Sequence, residues 1–229
     1  HDAAMMHGDP TRRERAERRV DLLTPVAKGW CTEGGIEVAS LGIQIHGGMG
    51  FIEETGAAQQ WRDARITSIY EGTTGIQAVD LAGRKIARDR GVALTELIAD
   101  IADVQRELAA TKGEDFAVMA SQLLQGLDAV RSCGLHVVAN FAERPAQVLA
   151  GSVPLLELLG RVCGGWQMGR AALAARRGLD TGEGNRRFLR AKIVTARFYA
   201  DHVLSAAPAL AHAACAGSAS VMVLEEDQF

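Results

Sequence analysis

Three short stretches hold the residues best suited to chemistry. The first is Tyr70-Glu71-Gly72-Thr73-Thr74-Gly75, a carboxylate followed by glycine where a helix is about to begin. A carboxylate there can accept a proton, and the glycine beside it lets a reacting group come close. A plainer role is also open, in which Glu71 favours the positive end of the helix dipole. The second stretch is Gln44-Ile45-His46-Gly47-Gly48-Met49-Gly50-Phe51. Its glycines open the backbone to a ligand, and they also read as a helix cap with a tight turn. It is not the GxGxxG dinucleotide fingerprint, because no strand precedes it. His46 lacks a second ligand at metal-binding spacing, so it reads as packed or hydrogen-bonded, with no metal. The third stretch, Trp61-Arg62-Asp63-Ala64-Arg65, reads as a helix end with a local ion pair.

The elements that must hold these stretches are helices. From about Arg12 to His46, Val20, Leu23, Ala27, Trp30 and Gly34 recur at three- and four-residue steps, and Ile36, Ala39 and Ile43 continue them. Pro25 and the Gly34-Gly35 pair are expected to bend or divide this stretch, and Gly47-Gly48 to end it. Residues 1–11 look irregular. A short helix is expected from Glu53 to about Asp63, then a connection over 64–72. Thr73 or Thr74 can cap the next helix with its hydroxyl. That helix should run to about Asp89 with Ile76, Val79, Gly83 and Ile86 inward.

Beyond Gly91, four long helical patterns follow. Leu94, Leu97, Ile98, Ile101, Val104 and Leu108 mark the first. The second runs from Phe116 to Phe141, with Pro145 at or beyond its end, and the third from Pro154 to Leu173. Leu189, Ile193, Ala196, Ala200 and Val203 mark the fourth, at a spacing that suits a seam between packed helices. Gly178–Gly184 reads as a turn. No stretch alternates steadily as a strand would. The expected fold is all-α, a helical bundle over residues 1–90 followed by a second helical unit over 91–229.

Composition narrows the class. Apolar residues make up 48% and charged residues 23%, which suits a globular protein and argues against disorder. Net charge is −3, so the chain as a whole is not a basic nucleic-acid binder. Cys31, Cys133, Cys163 and Cys215 form no CxxC pair and sit among small or apolar residues, as buried free thiols of a cytoplasmic protein would. No apolar run reaches the roughly 18 residues of a membrane span. The chain begins with His1, not Met, and is expected to be a fragment.

Taken together, the three stretches resemble the C-terminal domain of the acyl-CoA dehydrogenase family. Residues 44–51 match its Gln-x-x-Gly-Gly-x-Gly-Phe segment. Residues 62–65 match its Arg-Asp-Ala-Arg/Lys stretch, and residues 69–77 its Ile-Tyr-Glu-Gly-Thr-x-x-Ile-Gln stretch. Order and spacing agree as well. The resemblance is strong over residues 12–90. Residues 91–229 resemble, more loosely, the helical extension of a longer subgroup that includes 3-methylmercaptopropionyl-CoA dehydrogenase-like enzymes.

The resemblance implies an FAD-dependent α,β-dehydrogenation of an acyl-CoA thioester, with Glu71 in the place of the base. It puts Tyr70 and Gly72 beside the substrate and Thr73, Thr74 and Gly75 beside FAD. Gly75 stands where many members carry a bulkier polar residue, often Gln, so its contact would come from the backbone. Gln44, Ile45, His46, Gly47 and Gly48 match a loop that meets the adenosine end of FAD held mainly by a neighbouring subunit. A homo-oligomer, dimer or tetramer, follows, and an electron-transferring flavoprotein is the implied acceptor. The family's N-terminal helical domain and β-domain are missing. The 229-residue piece is therefore expected to bind FAD weakly or not at all and to be inactive alone.

A second reading keeps the scaffold and drops the catalysis. The chain would then be an oligomerisation module or a nucleic-acid-associated relative. Arg12, Arg13, Arg15, Arg18 and Arg19 supply one basic stripe for it, and Arg186, Arg187 and Arg190 another. The absence of interleaved aromatics for base stacking argues against it. A membrane-surface helix over residues 186–203, with Phe188 on the apolar side, is weighed against simple core packing and set lower.

Overall fold

The structure is a computed structural model that describes residues 8–221 and 223–228. All its regular elements among the described residues are helical. Helix α1 spans Pro10–His46 without interruption. Its start follows from its sequence: Asp9 accepts from the Thr11 amide at 2.9 Å, and Pro10 has no amide to leave unpaired. The expected division at Pro25 or Gly34-Gly35 does not occur, because Pro25 is buried inside a helix whose packing outweighs the lost hydrogen bond. Gly47, at φ 62° and ψ −144°, ends α1 as expected. The part of the irregular stretch over residues 1–7 lies outside the described residues.

Short helix α2 (Gly48–Phe51) and a 3-10 turn (Glu53–Thr55) lead to α3 (Ala57–Arg65). The single helix expected from Glu53 is thus broken at Gly56, whose φ is 75°. A 3-10 turn at Ile66–Ser68 leads to the connection before α4 (Thr74–Val79). That helix continues as a π-helical stretch, Asp80–Ala87. The widened turn changes which side chains face inward. Ala78, Leu81, Ala82 and Ile86 are buried, whereas Ile76 and Val79 are 56% and 42% exposed. The expected inner face was therefore wrong at Ile76 and Val79, since a uniform 3.6-residue period does not survive a π-turn.

Arg90 and Gly91 both have left-handed backbones, φ 56° and 77°, and reverse the chain sharply. Asp89 accepts from the amides of Gly91 and Ala93, each at 2.8 Å, and so starts α5 (Val92–Ala110). Helix α6 (Glu114–Asn140) opens with two carboxylates in its first turn, where the dipole favours them. Then come α7 (Pro145–Ala150), α8 (Ser152–Thr181) and α9 (Arg186–His202). Pro145 begins α7 instead of ending α6. Helices α10 (Ala207–Ala216) and α11 (Ser218–Val221) complete the described bundle. The sequence pattern missed α7 and α10, which are short and rich in alanine.

Leu22, Leu81, Leu97, Leu123, Leu158 and Leu204 are among the side chains of one continuous core that joins α1 and α4 to α5–α10. Burying a Leu of this kind stabilises by about 1.5–3 kcal/mol. Close helix crossings need glycine. A Cβ on Gly160 of α8 would lie 2.5 Å from Trp30 Cγ on α1, and one on Gly164 would lie 2.1 Å from the Tyr199 hydroxyl on α9. Charged groups add a second tie. Arg15 pairs with Asp100 at 2.6 Å, Arg19 pairs with the same carboxylate, and Arg18 pairs with Glu96. No helix among the described residues is long and apolar enough to cross a membrane.

Candidate active site

Glu71 and Gly72 form a tight turn just before α4. Both are left-handed, at φ 55° and 91°. Glycine takes this conformation freely, but a glutamate there is strained by about 1–2 kcal/mol. Such strain is held by surrounding structure and tends to gather at functional sites. Here the next turn holds it. Thr73 is the N-cap of α4 and accepts from the Ile76 amide at 3.3 Å. Gln77 Nε2 donates to the Glu71 carbonyl at 3.4 Å. A Cβ on Gly72 would lie 2.8 Å from that amide nitrogen, so the turn accepts no side chain there without a shift.

The Glu71 carboxylate is exposed and has no hydrogen bond or ion pair among the described residues. The dry setting that a base needs is therefore not made by this chain alone. Tyr70 is also exposed, with Lys28 Nζ 5.2 Å from the centre of its ring. That lysine donates to the Thr67 carbonyl, so α1 fixes the approach to the turn. Thr74 donates to Glu33 Oε1 at 2.5 Å. Gly75 has open space where its Cβ would be, apart from the Thr73 hydroxyl at 3.8 Å. Sequence reasoning found the turn and the stretch that ends in Gln77, and missed Lys28 and Glu33, which hold the turn from α1. Glu33 and Thr74 are 41 positions apart, and no local pattern links them.

A cleft of about 580 Å³ lies between α1, Trp61 and α8. Its wall includes Thr74 but neither Glu71 nor Gly72. It is adjacent to the turn and does not hold the carboxylate.

The second stretch lies elsewhere. Glu33 and His46 are thirteen residues apart on one helix, roughly 20 Å at 1.5 Å per residue. The Tyr70–Gly75 turn, tied to Glu33, is thus not brought together with Gln44–Gly48. Gly47 accepts no other residue easily, at ψ −144° with positive φ. A Cβ on Gly50 would lie 2.3 Å from the Ile43 carbonyl, so that glycine is required by packing. His46 Nδ1 donates to the Gly42 carbonyl at 2.8 Å, which makes it the hydrogen-bonded histidine expected. Around these glycines Ile45, Met49 and Phe51 point outward, Ile45 and Phe51 at 84% and 80% exposure. Gly47 and Gly48 have open space where a Cβ would be. The segment has the makings of a covered surface, apolar and close to bare backbone.

Arg62 takes a partner the local pattern did not suggest. It grips Glu53 with two hydrogen bonds, 2.9 and 2.6 Å, and holds that carboxyl below its ordinary range. Arg65 donates to the Ser68 hydroxyl at 2.6 Å. The first basic stripe is largely consumed by Asp100 and Glu96, whereas Arg186, Arg187 and Arg190 have no ion pair among the described residues. Phe188 is exposed, whereas Leu189 and Ile193 of the same apolar side pack on the core, as simple core packing expected. Of the cysteines, Cys31 is exposed and only Cys133 is fully buried, which corrects the expectation of four buried thiols. Cys31 falls on the outward side of α1.

With this geometry in view, comparison with known proteins gives the class. The family model "Acyl-CoA dehydrogenase, C-terminal domain" matches residues 4–86, and "Acetyl-CoA dehydrogenase C-terminal like" matches residues 94–225. The chain belongs to the acyl-CoA dehydrogenase family. Among curated relatives, it is 49% identical over 199 residues to 3-methylmercaptopropionyl-CoA dehydrogenase of Ruegeria pomeroyi, covering 86% of this chain and 33% of that protein. It is 35% identical to the broad-specificity linear acyl-CoA dehydrogenase FadE5 of Mycobacterium tuberculosis, covering 80% of this chain and 31% of that one. The chain therefore spans about a third of the length of these relatives. An acyl-CoA dehydrogenase from Bacillus anthracis, solved with FAD, superposes with a TM-score of 0.63 at 17% identity, covering 90% of this chain and 34% of that one. That likeness supports the all-helical fold.

Proposed function

We propose that the protein to which this chain belongs is an FAD-dependent acyl-CoA dehydrogenase, and that Glu71 is its base. The observation that carries this is the strained, unpartnered Glu71 beside Gly72 at the head of α4. A glutamate that only favoured a helix dipole would have no need of a left-handed backbone.

The reaction removes a proton from Cα of the thioester, and the Glu71 carboxylate takes it. Such a proton is a very weak acid, so the carboxylate must be close, aimed and dry. The left-handed turn does the aiming, and Gly72 leaves room for the acyl thioester. The rest of the protein supplies the dryness. Bound FAD supplies the two-electron acceptor for the hydrogen that leaves Cβ. The residues here fit the flavin as a partial cradle. Thr73, Thr74 and Gly75 border one part, with backbone open at Gly75. In the Gln44, Ile45, His46, Gly47 and Gly48 segment, Gly47 and Gly48 offer open backbone and Ile45 an uncovered apolar side chain, roughly 20 Å away. That separation suits the second part being used by a neighbouring subunit, hence a homo-oligomer. An electron-transferring flavoprotein is the proposed acceptor. The division near residue 90 is proposed as the border between the catalytic helical part and an extension that packs on it. Within one third of the relatives' length, this chain alone is expected to hold FAD weakly and to turn over no substrate.

The test uses the full-length flavoprotein. A panel of acyl-CoAs should bleach the oxidised flavin of wild type, and Glu71→Gln should slow the bleaching roughly 100- to 10,000-fold while keeping the flavin. Equal bleaching in both would overturn the assignment. Bleaching by no thioester would overturn the acyl-CoA reading itself.

A further inference from the structure

Two of the cysteines left out of that chemistry meet in space. Cys133 lies on α6 and Cys215 on α10, 82 positions later. Their sulfurs are 3.4 Å apart, with the Cys215 thiol directed at Cys133. Cys133 in turn donates to the Ala211 carbonyl at 3.8 Å, one turn before Cys215 on the same helix. The two thiols and that carbonyl thus form a short chain that fixes α10 against α6. Cys133 is 1% exposed, and Cys215 is only half-buried. Cys31 and Cys163 have no sulfur partner among the described residues.

We propose that Cys133 and Cys215 are a reversible disulfide site, a covalent staple between α6 and α10 made by exchange with a small-molecule disulfide of the glutathione class. The sequence of bonds follows from exposure. Cys215, the more accessible thiol, loses its proton and attacks the small disulfide. One half leaves as a thiol, and a mixed disulfide forms on Cys215. Cys133 then loses its proton and attacks the Cys215 sulfur, releasing the second half as a thiol. Two protons and two electrons pass from the protein to the oxidant. Burial, with the hydrogen bond from Cys215 second, pushes the Cys133 thiol above its ordinary value, which suits a resolving thiol rather than the entry point. Closing the bond brings the sulfurs together by about 1.4 Å, since a disulfide is about 2.05 Å long. The loop enclosed is long, so the oxidised form should resist unfolding more than the reduced one. This inference is independent of the acyl-CoA reading.

The chain is incubated with glutathione disulfide, quenched in acid, alkylated under denaturing conditions and digested with trypsin. Cys133 and Cys215 fall on different tryptic peptides, Ser132–Arg161 and Phe198–Phe229. The expected product is those two peptides joined, with Cys31 and Cys163 alkylated. Oxidation should raise the melting temperature by roughly 5–10 °C, and dithiothreitol should reverse it. Cys31→Ala should keep the link and the shift, and Cys215→Ala should lose both. Four alkylated cysteines after oxidation, or a link through Cys31 or Cys163, would overturn the proposal even if Cys215→Ala failed to fold.

Discussion

At the scale of residues, the turn before α4 is set by a few backbone angles. Glu71 sits at φ 55° without a side-chain partner, so the fold gains little from its carboxylate and bears its strain. Glu71→Gly should therefore stabilise the chain by about 0.5–1 kcal/mol in urea unfolding, the relief of a left-handed side chain less the entropy of glycine. Glu71→Gln should stay within about 0.5 kcal/mol of wild type. A clear loss of stability in both would make Glu71 a structural carboxylate. The sequence pointed to this residue through the glycines and threonines around it. It could not show the angle, nor Lys28 and Glu33 converging on the turn, because those ties depend on how α1 packs against it.

At the scale of elements, the period of apolar residues identified the long helices and located the end at Gly47, but it started the Gly178–Gly184 turn too early, since α8 runs through Gly178 to Thr181. It failed where the helix is not an α-helix. The π-stretch Asp80–Ala87 moved the buried face to Ala78, Leu81 and Ala82, and a fixed period cannot report such a change. It also failed on α10, where alanines carry too little contrast. The closest crossing offers a test. Gly160→Ala would place a methyl 2.5 Å from Trp30, and it should cost about 1–3 kcal/mol in chemical denaturation. A neutral result would mean that α1 and α8 can separate without cost. The ion pairs between α1 and α5 offer another. Asp100→Asn removes the partner of Arg15 and Arg19, which are partly exposed. It should cost up to about 1 kcal/mol at low salt and less at 1 M salt, as screening removes the advantage of wild type. A cost that salt leaves unchanged would point to packing.

At the scale of the whole molecule, one core runs through both regions that the family models match, so the chain should unfold in a single step. Its dependence on pH follows from the raised Cys133 thiol and from two partly buried groups, Cys163 and Tyr199. Burial pushes the Cys163 thiol to about 12 from an ordinary 9.0, with nearby Arg19 opposing the shift. It pushes the Tyr199 hydroxyl to about 12 from 10.0. Both pKa values are raised on folding, so their contribution is complete below the ordinary values and is lost as pH rises towards about 12. Melting temperature should hold to about pH 9 and then fall, and Cys163→Ala should lessen the part of the fall that starts first, to which Cys133 also contributes. A flat profile to pH 11 would contradict this. Composition and motifs made the fold class and the family legible. The exposed apolar group of Ile45, Met49 and Phe51 was not, because which side chains stay uncovered depends on how the helices pack.

The most direct measurement of the central claim follows the α-proton itself. The full-length flavoprotein is incubated in deuterium oxide with an acyl-CoA analogue that cannot be oxidised at Cβ, and deuterium at Cα is read by mass spectrometry. Wild type should incorporate it at a rate that Glu71→Gln lowers roughly 100-fold or more. Equal incorporation by the two proteins would show that another group takes the proton, and Glu71 would then be a strained residue without a chemical role.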